Sequence, residues 1–576
     1  MLPFVFRRLP AMVFFLALVE AAGANQSVFL EIQGGSDALV DNVRAHLALE
    51  ELPCDIAELR LRSRLRSADE SISRALRALG YYRGDWHLIR ERTEDCWRIR
   101  VQLNPGERVT LASVSLDIEG EAAGDPAFNR LLDNLPLREG MPLNHDNYRQ
   151  ARVSIEELGR NRGYFDGRFT ERRLQVDTRA NTATVRLRYQ SGPRYRFGAI
   201  DFGDNPLDSS FLRRFSPFAP GDPYSTDALI ALQHALNDSQ YFKRASVDQG
   251  NPDAGSHRVP IHVELSPRSK FLTTLGVGAS TDTGPRLSTG FANRRVNRRG
   301  HTYKLSGQWS PVLSNASFQY RIPGEDPLHE RIILGAGVQR EETDTAESTS
   351  YQLEASRTTR QGEDWLQTLS LSFIQENYRI ADESRTATLL VPGINWSRSE
   401  ANDSRYPTRG WRINASLRGA VEGLISDTSF SQAALDGKLI LPLIGGRLIT
   451  RAAGGATAVS DFSALPASLR FFAGGDNSVR GFAYESLGPE NAAGEVLGGK
   501  YLLTGSVEYD YPVWEKYSAA IFFDAGNAFD SDQFNLHRSA GFGVRWRSPI
   551  GPIRVDFAFP LADGGFRLHL SMGPDL

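Results

Sequence analysis

The amino-acid sequence predicts an α+β repeat region, each repeat of β-α-α-β-β order, followed by a transmembrane antiparallel β-barrel. Three observations lead there. A basic and then apolar leader opens the chain. An aromatic pair recurs about every 80 residues through the first part, a domain-sized period. Near residue 269 helical periodicity disappears, and strand-like alternation runs through the remainder.

The leader has Arg7 and Arg8 as a basic segment, Met12 to Val19 as an apolar one, and Ala22-Gly23-Ala24 as a small-x-small cleavage site. Residues 1–24 are therefore expected to be a signal peptide. An inner-membrane anchor is the alternative, but the apolar run is too short to span a bilayer. No later run is apolar enough for a transmembrane helix, so a membrane would have to be crossed by a closed barrel, which pairs every strand's backbone. At 576 residues the chain is too long for one compact core. A net charge of −3 offers no basic surface, so nucleic acid is not expected as a partner. The 31 Phe, 18 Tyr and 52 Gly favour strands and tight turns over helical bundles. Cys54 and Cys96 are the only cysteines. In an exported protein an even pair suggests one disulfide; two buried free thiols are the alternative, and no metal-binding spacing accompanies them.

Each repeat begins with a strand: Ser27 to Ile32, Thr110 to Ile118, and Arg196 to Phe202. Helical stretches follow, among them Asp69 to Leu79, His145 to Arg160 and Ser225 to Asn237. In the last of these, Leu229, Leu232 and Leu236 are spaced for one helical face. Then come the corners Gly80-Tyr81-Tyr82, Gly163-Tyr164-Phe165 and Gln240-Tyr241-Phe242, each leading into two strand-like runs. The expected repeats cover 25–105, 106–191 and 192–268. Helices on a small sheet suit docking of an extended peptide at the sheet edge, or a rigid spacer.

Residues 269–576 alternate as a barrel wall does. Ile553, Val555, Phe557 and Phe559 share one face, with Arg554, Asp556 and Ala558 on the other. Phe542, Val544 and Trp546 alternate with Gly541, Gly543 and Arg545; Leu275 and Val277 alternate with Gly276 and Gly278. A soluble sandwich would alternate too, but not over such a length behind a leader. At roughly 19 residues per strand and loop, 16 strands fit, with 14 and 18 still open. Polar stretches at Glu341 to Ser350 and Gly362 to Asp364 read as loops.

The most specific stretch is Gly474-Gly475-Asp476-Asn477-Ser478-Val479-Arg480-Gly481-Phe482. With the three repeats before it, this VRGF loop resembles the BamA/TamA superfamily of POTRA-plus-barrel outer-membrane assembly and translocation proteins. The three repeats and the ending Gly573-Pro574-Asp575-Leu576 are most similar to its TamA-like branch. The resemblance implies that the Val479–Phe482 loop folds back into the barrel, where Arg480 meets Glu508 and Asp524 on the inner wall. Asp524 alternates with Phe523, which places its carboxylate on the lumen side, and a buried arginine needs such a partner. A solvated Arg480 is the plainer alternative. Tyr406-Pro407-Thr408-Arg409-Gly410-Trp411 also resembles a family turn, though Pro-x-x-Gly is common turn chemistry.

Asp563, Gly565, Leu568 and Leu570 fit a barrel-end signal. Pro574 lacks an N–H donor, so pairing of the last strand with the first, near Phe271 to Ser280, is expected to be weak. That seam suits lateral opening and templating of a client strand; an ordinary closed barrel with a frayed end is the alternative. The resemblance further implies location in the outer membrane with the repeats in the periplasm, and a TamB-like inner-membrane-anchored partner at the first repeat. It also implies clients such as autotransporters and other barrel proteins. BamA-like assembly proteins, two-partner secretion pores and passive porins are the rival readings. The sequence holds no Gly-x-Ser-x-Gly elbow, P-loop or metal spacing, so no enzyme activity, cofactor or metal is expected.

Overall fold

The computed structural model describes residues 27–572, apart from 95, 363, 382, 404–405, 424, 531–533, 549–550 and 563. The expected signal peptide, Asp563 and the final Gly573–Leu576 lie outside the described residues. The chain divides into two compact units: one runs up to Ala199 and adds Pro220–Asp227 and Gly250–Pro260, the other holds the rest.

The first repeat has a strand at Phe29–Gln33, helices at Asp37–Leu47, Glu58–Leu65 and Ala68–Ala78, and strands at Asp85–Arg92 and Trp97–Asn104. Its second helical stretch is thus in two pieces, broken at Arg66-Ser67. Trp97, Ile99, Val101 and Leu103 alternate inward from the central strand and meet Leu39, Val43, Ile72 and Leu76 of the helices. The first strand lies parallel to the third and the second antiparallel to it. Cys54 and Cys96 are disulfide-bonded, fastening the helical connection to the start of the third strand.

The second repeat has the same order: Thr110–Glu119, Pro126–Asn134, His145–Asn161, Arg168–Asp177 and Thr182–Gln190. Its helices begin on side-chain caps. Asp125 accepts from the Ala127 N–H, with Pro126 at the first helical position, and Asn144 accepts from Asp146. The third runs Arg196–Asp201, a short turn of helix at Ser209–Leu212, Thr226–Asp238, Phe242–Gln249 and Arg258–Pro267.

The recurring aromatic corners are joints. Gly80 C=O accepts the Val109 N–H at 2.9 Å, and Tyr82 Oη meets His145 Nε2 at 2.8 Å. Gly163 C=O accepts the Tyr195 N–H at 2.9 Å, and the Phe165 ring packs edge-on against Tyr195 and Tyr224. Tyr241 Oη donates to Gly300 C=O at 2.5 Å, in the first turn at the end where the chain enters the barrel. Each corner therefore grips the element that follows it.

From Phe271–Ser280 to Arg567–Met572, 16 strands form one sheet in which each pairs antiparallel with the next. No helix among the described residues is long and apolar enough to cross a membrane; the barrel crosses with strands. Outward positions carry Leu275, Val277, Leu334, Leu353, Leu435, Ile521 and Phe542, exposed as lipid-facing side chains must be. Trp514, Tyr517 and Trp546 cluster at one rim, where amphipathic rings sit at the membrane interface. One sequence expectation is corrected. Most of Glu341 to Ser350 is strand, with Glu342 opposite Glu347, and only 343–345 turn. The polar composition misled because these long strands carry hydrophilic residues throughout.

Candidate functional site

The loop spanning 460–500, between the strands Gly446–Val459 and Tyr501–Trp514, folds into the lumen. Ala473, Val479 and Leu487 make its own small core, joined by Phe482, which stacks edge-on against His537. A backbone bridge between Ala473 and Leu487 closes it. Gly481 sits at φ 97°, open chiefly to glycine, and a Cβ there would press on Pro560 and Ser539.

This fold presents Arg480, only 3% exposed, to the wall. Arg480 Nε donates to Asp524 Oδ2 at 2.7 Å and Nη2 to Asp524 Oδ1 at 2.9 Å. Nη1 donates to Glu508 Oε2 at 2.8 Å and to Asp556 Oδ2 at 3.0 Å. The guanidinium also lies over the Phe522 ring, 3.4 Å from its centre. Arg545 completes the network from the wall. Its Nη2 donates to Glu508 Oε1 at 2.8 Å and its Nη1 to Asp556 Oδ1 at 2.6 Å. Two arginines thus hold three carboxylates, every one of the five residues buried.

The register explains why they meet. Glu508, Asp524, Arg545 and Asp556 come from four successive strands and all point inward, alternating with outward Val507, Phe523, Val544 and Phe557. Gly541 leaves room for the Phe522 ring, and Gly543 leaves room for Asp556 and Arg545. Charges of both signs in a water-poor pocket are tolerated because each finds its partners.

Residues singled out in the sequence are placed as follows. Arg480, Glu508 and Asp524 lie together. Gly565, at φ 79°, is in the turn before the last strand, and Leu568 and Leu570 point away from the lumen on it. Tyr406 is held in the lumen near the end where the chain enters, its ring between the guanidinium groups of Arg447 and Arg547. Sequence reasoning missed Arg545, Asp556 and His569 as partners. Their inward phase was visible, but nothing in it says which strands are neighbours.

The sheet has two ends, Phe271–Ser280 and Arg567–Met572, and its strand order does not join them. Among the described residues, one backbone hydrogen bond links them, from Thr281 N–H to Leu570 C=O at 3.2 Å. The last strand is six residues long, and its other neighbour pairs with all six. Among the described residues the seam is therefore far weaker than any other strand boundary of the barrel.

An Omp85 superfamily domain matches residues 273–573, more than half of the chain. The chain belongs to the Omp85 superfamily. Two of its three repeats match as well: 30–105 as POTRA domain TamA domain 1, and 195–268 as a POTRA repeat described as surface antigen variable number repeat. The barrel of this Omp85 protein sits in the outer membrane and its POTRA repeats in the periplasm. Among similar proteins, the outer membrane protein assembly factor BamA of Neisseria meningitidis serogroup B is 22% identical over 538 residues, covering 80% of this chain and 66% of the relative. BamA of Nitratidesulfovibrio vulgaris is 22% identical over 400 residues, covering 64% of this chain and 50% of the relative. The chain thus spans about half to two thirds of the length of these curated relatives. In fold it is similar to the crystal structure of BamA from Haemophilus ducreyi lacking POTRA domains 1–3. That likeness has a TM-score of 0.67 at 17% identity, covering 81% of this chain and 99% of the other.

Proposed function

We propose that this chain is a TamA-type translocation and assembly factor, which inserts or secretes autotransporters and other barrel proteins through its lateral seam. The weak seam carries the reading. A strand edge with unmade backbone bonds facing lipid is a template for another strand. The buried arginine network supports it, because it braces four successive wall strands and leaves the seam as the weakest boundary. The match of the first repeat to a TamA POTRA domain, and the three repeats, favour TamA over the BamA relatives. The protein acts by pairing and positioning, not by catalysis, and needs no cofactor or metal.

A disulfide between cysteines placed at facing positions of the first and last barrel strands tests the seam. Client assembly should stop in the oxidised variant and return on reduction, with reduced wild type as control. Full activity of the locked barrel would end the proposal.

A TamB-like partner at the first repeat belongs to the same reading. Tyr81 and Tyr82 lie at a joint, so crosslinkers belong at Leu59 and Phe29, 80% and 55% exposed. Capture of a large inner-membrane-anchored periplasmic protein supports the TamA type. Capture of outer-membrane lipoproteins favours the BamA type that the relatives' names suggest.

A further inference from the structure

We propose that the tip of the Arg480 loop is the latch of the seam. Asp476, together with Gly481, ties His569 on the last strand to Thr281 and Asp282 just after the first, so that loop withdrawal and seam opening are a single event. The inference rests on the seam being the site of client entry only for its purpose, not for its geometry.

The last strand alternates, so Leu568 and Leu570 face outward and His569 faces the lumen, 2% exposed. Its Nε2 accepts the Gly481 backbone N–H at 2.8 Å. An accepting Nε2 leaves the proton on Nδ1, which donates to Asp476 Oδ1 at 2.5 Å. The same Oδ1 accepts from Thr281 Oγ1 at 2.9 Å. Asp476 N–H donates to Asp282 Oδ2 at 2.8 Å. Thr281 closes the circuit: its Oγ1 accepts the Leu570 N–H, and its own N–H donates to Leu570 C=O, both at 3.2 Å. Asp556, opposite His569 in the strand register, is bonded to Arg480 and Arg545, so the two networks are neighbours on the wall.

Among the described residues the direct hydrogen bonds across the seam all pass through Thr281, whereas six residues pair on the other side of the last strand. The loop therefore supplies a large share of what holds the ends together. Both ring nitrogens of His569 are engaged, so the histidine is held at both ends in a hydrogen-bonded knot linking three separate parts of the chain. Gly475 is part of the fit, because a Cβ there would stand 2.7 Å from Asp282 Oδ2.

Hydrogen exchange of the full-length protein in nanodiscs, read by mass spectrometry, tests the latch. Asp476→Ala should speed exchange about tenfold in peptides covering 271–281 and 567–572, and leave the strands over 501–529 as protected as in the native protein. Asp476→Asn, which keeps the oxygen acceptor, should recover most of the protection. If Asp476→Ala does not assemble, Thr281→Val gives the same reading, since it removes the shared hydroxyl and keeps the strand shape. Native protection at both ends in either folded variant would overturn the latch. Faster exchange with unchanged client assembly would keep the latch and remove the seam from client entry, so the two readings fail separately.

Discussion

Arg480 and Asp524 form a two-pronged ion pair, and Asp524 Oδ2 also accepts the Arg480 backbone N–H at 3.1 Å. One carboxylate thus fixes both the side chain and the backbone of the loop. Arg480→Ala would leave buried Asp524 without its guanidinium partner and Glu508 and Asp556 with Arg545 alone, a loss of about 3–5 kcal/mol. Arg480→Lys should recover little, because an ammonium cannot span the carboxylates that the planar guanidinium bridges. The temperature at which the folded barrel changes its mobility on a semi-native gel checks both.

Arg545 should matter as much. It is 1% exposed and bonds two of the same carboxylates. Arg545→Ala is expected to lower the unfolding temperature about as far as Arg480→Ala, and the double variant to lose less than the sum, since the two share Glu508 and Asp556. Gly543→Ala should fail similarly: its Cβ would stand 1.9 Å from Asp556 Oδ1 and 2.5 Å from Val555 O.

How much of this was legible in the sequence follows from what alternation encodes. A period of two tells that Asp524, Arg545 and Asp556 face inward, and the VRGF resemblance supplied Glu508 and Asp524 for Arg480. It does not tell which inward residue stands beside which, because that depends on register and on the path of a loop folded inward. Asp476 and His569, 2.5 Å apart, are 93 residues apart in sequence. Alternation with Leu568 and Leu570 puts His569 on the inward face but does not name its partner. The aromatic corners were visible as a repeat, but their role as joints needed the next element in place. Glu341 to Ser350 failed for the opposite reason: polarity marks loops only where strands face lipid or core.

In the second repeat, burial pushes the Asp125 carboxyl upward, but the Arg162 hydrogen bond, the Ala127 N–H and the charges of Arg162 and Arg194 outweigh it and hold Asp125 below the usual carboxylate range. A depressed carboxylate stabilises the fold above its unfolded value, and that stability is lost as pH falls through the folded value. Native protein should therefore lose protection of the 126–134 helix in acid below the ordinary carboxylate range. Asp125→Asn should lack this pH dependence and be less stable at neutral pH by roughly 1–3 kcal/mol. Hydrogen exchange across a pH series measures both.

The joint at Gly300 makes a separate prediction. Gly300 sits at φ 76°, and a Cβ would stand 2.4 Å from the Phe211 ring. Gly300→Val should loosen the third repeat's grip on the turn between the second and third barrel strands, and Tyr241→Phe, which loses one hydrogen bond to Gly300 C=O, should cost about 0.5–1.5 kcal/mol. Limited proteolysis within 294–301 would report it, with Gly300→Val cut faster than Tyr241→Phe and both faster than the native protein.

The central claim is that client strands enter at the seam. A photo-crosslinker at Leu275, 84% exposed on the first strand, tests it in living cells during client synthesis, with captured proteins identified by mass spectrometry. The account predicts adducts with the terminal strands of other outer-membrane barrel proteins, lost when an engineered disulfide locks the first and last strands together. Adducts with lipid alone, or client adducts that persist in the locked barrel, would contradict it.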